Sequence, residues 1–433
     1  MLNQISPMRR FKRFTLVVFL LLASCVTEQS SIPAPACAPC HCAICPPPIS
    51  SLTPESTEDI PLPRDPAEPE PPRGRLVKSD WTALPDWGRD DPAAALAAFV
   101  QSCLVIRTQI AWQDACKEAD QTAKASIQSP ENMTAFFQNV FEPYQVLNAN
   151  ETATGLVTGY YEPLLYGSRK RSKRYSFPIY APPQDLLTID LSEVYPDLKR
   201  RSLRGRLVGN KVVPYLERSD IESKQEPLRG LEILYVDNAV ELFFLQIQGS
   251  GQVVLEDGSR VRVGYADQNG HPFRSLAGLL IRRGEIKPER ASMQGIKEWA
   301  QRHPRKVQQY MNANPSFVFF KELPNDLSGP IGTLGVPLTA ERSIAVDPRV
   351  IPLGVPVYLS TTAPNSKQEL NRIMVAQDTG GAINGGVRAD FYWGFGDAAG
   401  VQAGKMKQQG RMWVLLPRNY DPHAITASTL ATQ

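Results

Sequence analysis

The chain has 433 residues, room for two domains and a tail, and its 42% hydrophobic and 21% charged content is that of an ordinary globular protein. A net charge of only +3, with no basic cluster interleaved with aromatics in the body, argues against a nucleic-acid partner. His41, His271, His303 and His423 show no metal-ligand spacing, and no His-Glu-x-x-His, Gly-x-Ser-x-Gly or phosphate-loop pattern occurs, so neither metal nor cofactor is expected.

In chain order, the first segment reads as an export signal. Arg9, Arg10, Lys12 and Arg13 precede an apolar run, Phe14–Ala23, about half the length of the ~20 residues that span a membrane. The run meets Leu22-Ala23-Ser24-Cys25, which resembles the bacterial lipobox. That resemblance implies a signal peptide over 1–24, cleavage before Cys25 and lipidation of that cysteine. Val26 in the next position resembles sorting to the outer membrane, with the protein on its periplasmic face.

Residues 25–80 read as a lipidated cysteine followed by a Pro/Cys-rich linker, because Pro, Ser, Thr and Glu without apolar periodicity cannot bury a core. Within it lies Cys37-Ala-Pro-Cys40-His41-Cys42-Ala-Ile-Cys45. Haem attachment and zinc are both formally compatible with these residues, but the Pro-rich flanks offer neither a haem-burying module nor a second shell. Local disulfides fit the composition better, and the role of Cys37, Cys40, Cys42 and Cys45 stays open. Cys103 and Cys116 are expected to form a separate structural disulfide.

The globular part is expected to begin near Trp81. Asp91-Pro92 is an N-cap with proline at the first helical position, predicting a helix through Ala93–Ile106, and further helices are expected over Trp112–Ala123 and from Ser129-Pro130 to about Phe141. A strand is predicted over Leu156–Tyr161. Glu241–Gln248, Gly251–Leu255 and Ser259–Tyr265 read as a three-stranded meander whose second turn is Asp257-Gly258. Helices are predicted over Pro272–Arg283 and Ser292–His303. Short strands follow at Phe317–Phe320, Ser343–Val346, Val355–Leu359, Arg372–Gln377 and Arg411–Leu416, a pattern that favours barrels over a parallel sheet.

The chemistry concentrates in Asp378-Thr-Gly-Gly-Ala-Ile-Asn-Gly-Gly-Val-Arg-Ala-Asp390-Phe-Tyr-Trp-Gly394. Asp378 follows a buried strand, and the glycines after it let backbone approach a ligand closely. Asp390 precedes three aromatics, whose apolar surroundings raise a carboxyl pKa and suit a general acid; their faces also suit a sugar ring. Blander roles stand beside these: Asp378 as a cap for loop N–H groups, Asp390 as a turn or strand-end partner of Arg388, and Tyr392 and Trp393 as core.

This segment resembles the membrane-bound lytic transglycosylase A family, peptidoglycan-cleaving lipoproteins that end in a three-aspartate (3D) domain. The resemblance extends over Thr158-Gly-Tyr-Tyr-Glu-Pro163, Phe243-Phe-Leu-Gln-Ile-Gln-Gly-Ser-Gly251, Gly264-Tyr-Ala-Asp-Gln-Asn-Gly-His-Pro-Phe-Arg274, Ser292-Met-Gln294, Asn314-Pro-Ser-Phe-Val-Phe-Phe320, Arg342-Ser-Ile-Ala-Val-Asp347 and Ile351-Pro-Leu-Gly354. It implies a mainly β fold with peripheral α-helices. A discontinuous double-psi β-barrel catalytic domain would carry an inserted second β-barrel domain. By position, 81–164 and 312–417 would form the catalytic domain, 165–311 the insertion and 418–433 a tail.

The same resemblance implies lytic cleavage of the β-1,4 bond between N-acetylmuramic acid and N-acetylglucosamine, leaving 1,6-anhydro ends. Asp390 would act as general acid and then base, Asp378 would assist, and Asp347 would be structural. Tyr160, Tyr161, Gln248, Ser250 and Trp393 are candidates to line the glycan groove, although buried, satisfied roles suit Tyr160 and Gln248 nearly as well. The partners implied are peptidoglycan glycan strands and the outer membrane through the lipid anchor. Which cell-wall synthesis proteins it joins, endo or exo cleavage, and stem-peptide preference stay open. Two rivals remain: a two-carboxylate hydrolase using Asp378 and Asp390, and a non-catalytic glycan-binding tether.

Overall fold

A computed structural model describes residues 73–125, 129–195, 198, 203–418 and 420–422. Cys25 and the Cys37–Cys45 cluster lie outside the described residues. The first strand, β1 (Gly74–Lys78), precedes the expected start at Trp81. Three helices follow: α1 (Pro92–Ile106), α2 (Ile110–Lys124) and α3 (Pro130–Val140). The caps are those the sequence predicts. The Asp91 carboxylate accepts from the Ala93 and Ala94 N–H groups at 3.0 and 3.3 Å, and the Ser129 hydroxyl accepts from Asn132 N–H at 3.2 Å. A Cys103–Cys116 disulfide joins α1 to α2. Phe99, Trp112, Phe136 and Phe137 bury this layer against the sheet behind it.

The chain then enters that sheet with β2 (Phe141–Asn148) and β3 (Gly155–Glu162) and leaves it for a long excursion. The excursion opens with β4 (Leu164–Ser168), β5 (Phe177–Tyr180), β6 (Leu187–Ile189), β7 (Leu203–Val208) and β8 (Lys211–Pro214). It continues through α4 (Arg218–Ile221), β9 (Glu232–Val236), α5 (Ala239–Gln248), β10 (Ser250–Val254) and β11 (Arg260–Gln268). Helices α6 (Leu276–Arg282), α7 (Met293–Arg302) and α8 (Val307–Met311) precede its last strand, β12 (Val318–Leu323). The chain returns as β13 (Ser343–Ala345), β14 (Pro356–Thr362), β15 (Glu369–Asp378), β16 (Arg388–Phe395), α9 (Gly396–Lys405) and β17 (Lys407–Pro417).

The first sheet has the order β1-β2-β17-β14-β15-β13-β16-β3, and β17 also pairs with β3. The six strands β3, β16, β13, β15, β14 and β17 are therefore linked in a ring of pairings. Its inward side chains, among them Val157, Ile344, Val357, Ala376, Ala389, Phe391 and Val414, form the main core together with the helical layer. The excursion forms a second sheet, β12-β11-β10-β4-β9-β5, and a small third one, β6-β7-β8.

Three local expectations are corrected. Glu241–Gln248 is helix, not the first strand of a meander. Asn238 caps it by accepting from Val240 and Glu241 N–H, and Gly249 closes it in the left-handed region at φ 78°, so the ends outweigh the strand-like apolar run. The helix expected from Pro272 begins only after Ser275, whose hydroxyl caps it through Gly278 N–H. The strand near Phe317–Phe320 pairs with β11, so it belongs to the second sheet and not to the returning part expected from residue 312.

Candidate active site

Register builds the site. Asp378 at the end of β15 lies opposite Ala345 of β13, Ala345 lies opposite Asp390 of β16, and Asp390 lies opposite Thr158 of β3. Four neighbouring strands thus present Asp378, Ala345, Asp390 and Thr158 in one row. At ordinary strand spacing the two aspartate backbones stand about 10 Å apart, with only an alanine methyl between them. Alternation along β16 sends Ala389 and Phe391 into the core and Arg388, Asp390 and Tyr392 to the other face. Between Ala376 and Asp378 the pairing of β13 with β15 shifts register. Gln377 turns inward there, donating to Ala98 O at 3.0 Å and Ser102 Oγ at 2.9 Å, so α1 is keyed directly to the strand end that carries Asp378.

The two carboxyls are held differently. Among the described residues Asp390 accepts one hydrogen bond, from the Thr158 hydroxyl at 2.6 Å. Burial pushes its pKa up to about 6; the Thr158 bond and the Arg388 charge oppose that rise, and the Asp378 charge adds to it. Asp378 is held by four donors, three of them on one oxygen. Its Oδ1 accepts from Thr333 N–H, the Thr333 hydroxyl and Thr379 N–H, each at 2.9 Å, and its Oδ2 accepts from the Tyr160 hydroxyl at 3.1 Å. Burial still lifts its pKa above the usual range against those donors. The loop-capping role considered for Asp378 is present, with Tyr160 added to it. Burial, then the nearby carboxylates, raise the Tyr160 phenol well above its ordinary value, so it stays a donor. Its ring lies 5.2 Å from that of Tyr392.

Asp347 is buried and accepts from Arg349 N–H, Nε and Nη2 and from Gly385 N–H at 2.7–3.1 Å. Burial alone would raise this carboxyl, but Arg349 and the Gly385 N–H hold it below the usual aspartate range. It fixes the glycine loop that feeds β16.

Other candidates are dispersed. Trp393 lies on the side of β16 opposite Asp390, against Phe391 at 4.6 Å, with its indole N–H on Met406 Sδ at 3.2 Å. Tyr161 is buried, and its hydroxyl meets Met293 Sδ at 3.4 Å. Gln248 accepts from Tyr161 N–H at 3.0 Å and so ties α5 to β3. Ser250 opens β10, partly exposed. The direct Arg388–Asp390 pair is replaced: Arg388 Nη1 donates to the carbonyls of Leu156 and Ala389. Among the described residues no three His, Cys, Asp or Glu are grouped to hold a metal ion.

Two donors escaped the sequence reading as site residues, Thr158 and Thr333. Thr158 sits inside a quoted motif, but its partner is 232 residues away on a parallel strand, beyond any local pattern. As built, the site offers one carboxyl poised to give up a proton near pH 6 on a face shared with two tyrosines, next to a second carboxylate held by four donors.

Two family models match the chain, the MltA specific insert domain over residues 156–321 and the 3D domain over residues 342–416. Membrane-bound lytic murein transglycosylase A of Escherichia coli (strain K12) is 34% identical over 282 residues, covering 63% of this chain and 69% of that protein. A crystal structure of MltA from Neisseria gonorrhoeae superimposes with a TM-score of 0.70 at 37% identity, over 80% of this chain and 93% of that one. The crystal structure of E. coli MltA with bound chitohexaose gives 0.57 at 28% identity, over 79% and 94%. With both domain models matched in order and these relatives aligned along most of their length, the chain belongs to the membrane-bound lytic murein transglycosylase A family.

Proposed function

We propose that the protein is a peptidoglycan lytic transglycosylase that cuts the β-1,4 bond between N-acetylmuramic acid and N-acetylglucosamine and leaves 1,6-anhydro-N-acetylmuramic acid ends in cell-wall turnover. The observation that carries this reading is the asymmetry of the two carboxyls: Asp390 is raised to about 6 with one hydrogen bond, while Asp378 is held by four. Protonated Asp390 gives its proton to the glycosidic oxygen as the C1–O bond breaks. The resulting carboxylate takes the proton of the muramyl C6 hydroxyl, whose oxygen bonds to C1. Because the nucleophile is intramolecular, no second base is required. Asp378 assists through its charge near C1, with its geometry fixed by Thr333, Thr379 and Tyr160. Tyr160, Gln248 and Ser250 are the groove-lining candidates best supported by position; Tyr161 and Trp393 support the strands from within.

A two-carboxylate hydrolase needs a second carboxylate free to activate water or attack C1. The four donors that fix Asp378, the Tyr160 hydroxyl on Oδ2 among them, disfavour it. The ring of pairings in the first sheet supports a double-psi barrel, and the second sheet supports an inserted barrel-like domain from about Leu164 to Leu323. The lipobox-like Leu22–Cys25 and the "membrane-bound" relatives support attachment to the periplasmic face of the outer membrane through Cys25. Mass spectrometry of products from purified sacculi tests the activity: anhydro-muropeptides that vanish in Asp390→Asn support it, reducing ends point to the hydrolase, and retention without release points to the tether.

A further inference from the structure

The outward face that carries Asp390 also bears two cations, Arg388 along the same strand and Lys407 across the sheet on the side away from Asp378. Arg388 stands two residues before Asp390 on β16, and alternation places both on one face. Lys407 is the register partner of Thr158, which is in turn the partner of Asp390. Paired residues share a face, so Lys407 continues the row one strand beyond Thr158, its backbone about 10 Å from that of Asp390.

Neither cation has a carboxylate partner among the described residues. Arg388 uses one nitrogen, Nη1, on two neutral acceptors, Leu156 O at 3.3 Å and Ala389 O at 2.5 Å. Its Nε and Nη2 donate to no described residue. Burial lowers its pKa, and the Asp390 charge works against that. Lys407 is exposed. A half-buried guanidinium anchored by carbonyls, with its remaining donors open beside a general acid, is placed for an anion that arrives with the substrate. Each muramyl residue carries a lactyl arm, either as a free carboxylate or extended by a stem peptide with carboxylates of its own.

We propose that Arg388 and Lys407 form a carboxylate subsite that grips the lactyl arm of the muramyl residue at the cleavage point. This rests on the lytic transglycosylase reading and sets the orientation of the sugar, with its lactyl arm toward β17 and away from Asp378.

The test uses the full chain in detergent and the variants Lys407→Gln, Lys407→Glu, Arg388→Gln and Arg388→Lys. Affinity is measured for peptide-bearing murein strands, for strands stripped of peptides, and for the neutral chitohexaose. Half-saturation by murein rises roughly threefold to fivefold in Lys407→Gln and Arg388→Gln, while chitohexaose affinity changes by less than about twofold. Lys407→Glu weakens murein binding further, Arg388→Lys recovers part of the loss, and added salt erases the difference between variants and parent. A loss confined to peptide-bearing strands assigns the grip to stem-peptide carboxylates, and one that persists on stripped strands assigns it to the lactyl carboxylate. Equal weakening for chitohexaose, or unchanged murein affinity in all four variants, overturns the proposal. Anhydro ends are scored in the same samples: their absence in the parent sinks the transglycosylase reading, while a carboxylate-selective binding loss leaves the subsite standing.

Discussion

Asp390 has the environment its proposed role needs, apolar enough to keep a proton and polar enough to let it go. The pH dependence follows from its pKa of about 6. The free enzyme must start protonated, so kcat/KM is predicted to fall as pH rises through about 6. Thr158→Val removes a bond to the ionised form and moves that limb to higher pH, which a pH–rate profile reads directly. The same shift has a cost in stability. With a folded pKa above the unfolded value of about 3.9, the native state binds the extra proton between those values, so stability declines as pH rises from about 4 to 6 and stays lower above it. Asp390→Asn is therefore expected to be more stable than the parent at pH 7.5, by on the order of 2 kcal/mol, with the gain gone below about pH 4. Equal denaturation midpoints at both pH values would contradict this.

At the scale of elements, the site depends on how strand ends are pinned. Asp347 holds Arg349 and the Gly385 N–H, and through them the entry into β16. Asp347→Ala leaves that N–H without its acceptor and the arginine with only Asn384 Oδ1, and is expected to cost about 3 kcal/mol, measured by denaturant unfolding. Since its carboxyl is held below the usual range, this contribution is full at neutral pH and is lost as pH falls through the lowered value. Elements with strong local ends were readable in the sequence: the Asp91 and Ser129 caps placed α1 and α3 closely. Where ends and pattern disagreed, the pattern misled, as at Glu241–Gln248, whose apolar run suits strand or helix until Asn238 and Gly249 decide. Strand β16 went unread as a strand because its alternation is interrupted by glycine and its partners are distant. The aromatic neighbours of Asp390 marked it as a plausible general acid beside a plain strand-end role, and only the family resemblance gave it a specific one; Thr158 and Thr333 were not legible, because only tertiary pairing brings them to the carboxylates.

For the whole molecule, the decisive feature is that one sheet is assembled from two distant stretches, Gly74–Glu162 and Ser343–Pro417, with the second and third sheets formed between them. The junction is held by a buried cluster. Glu162 at the end of β3 accepts from Arg262 Nε at 2.9 Å and Gln252 at 3.0 Å, and Arg262 also donates to Leu327 O at 2.6 Å. Arg262→Ala strands a buried carboxylate and is expected to cost about 3–5 kcal/mol, with the midpoint of thermal unfolding as the readout. Reduction of the Cys103–Cys116 bridge is expected to cost about 3 kcal/mol by freeing the loop between α1 and α2.

In the proposed mechanism one carboxyl, Asp390, carries both proton transfers and the sugar supplies the nucleophile. The most direct measurement is product analysis of purified sacculi digested in water enriched with oxygen-18. The expected products are 1,6-anhydro-muramyl ends without incorporated label, abolished in Asp390→Asn and reduced but detectable in Asp378→Asn. Labelled reducing ends, or full activity in Asp390→Asn, would contradict it.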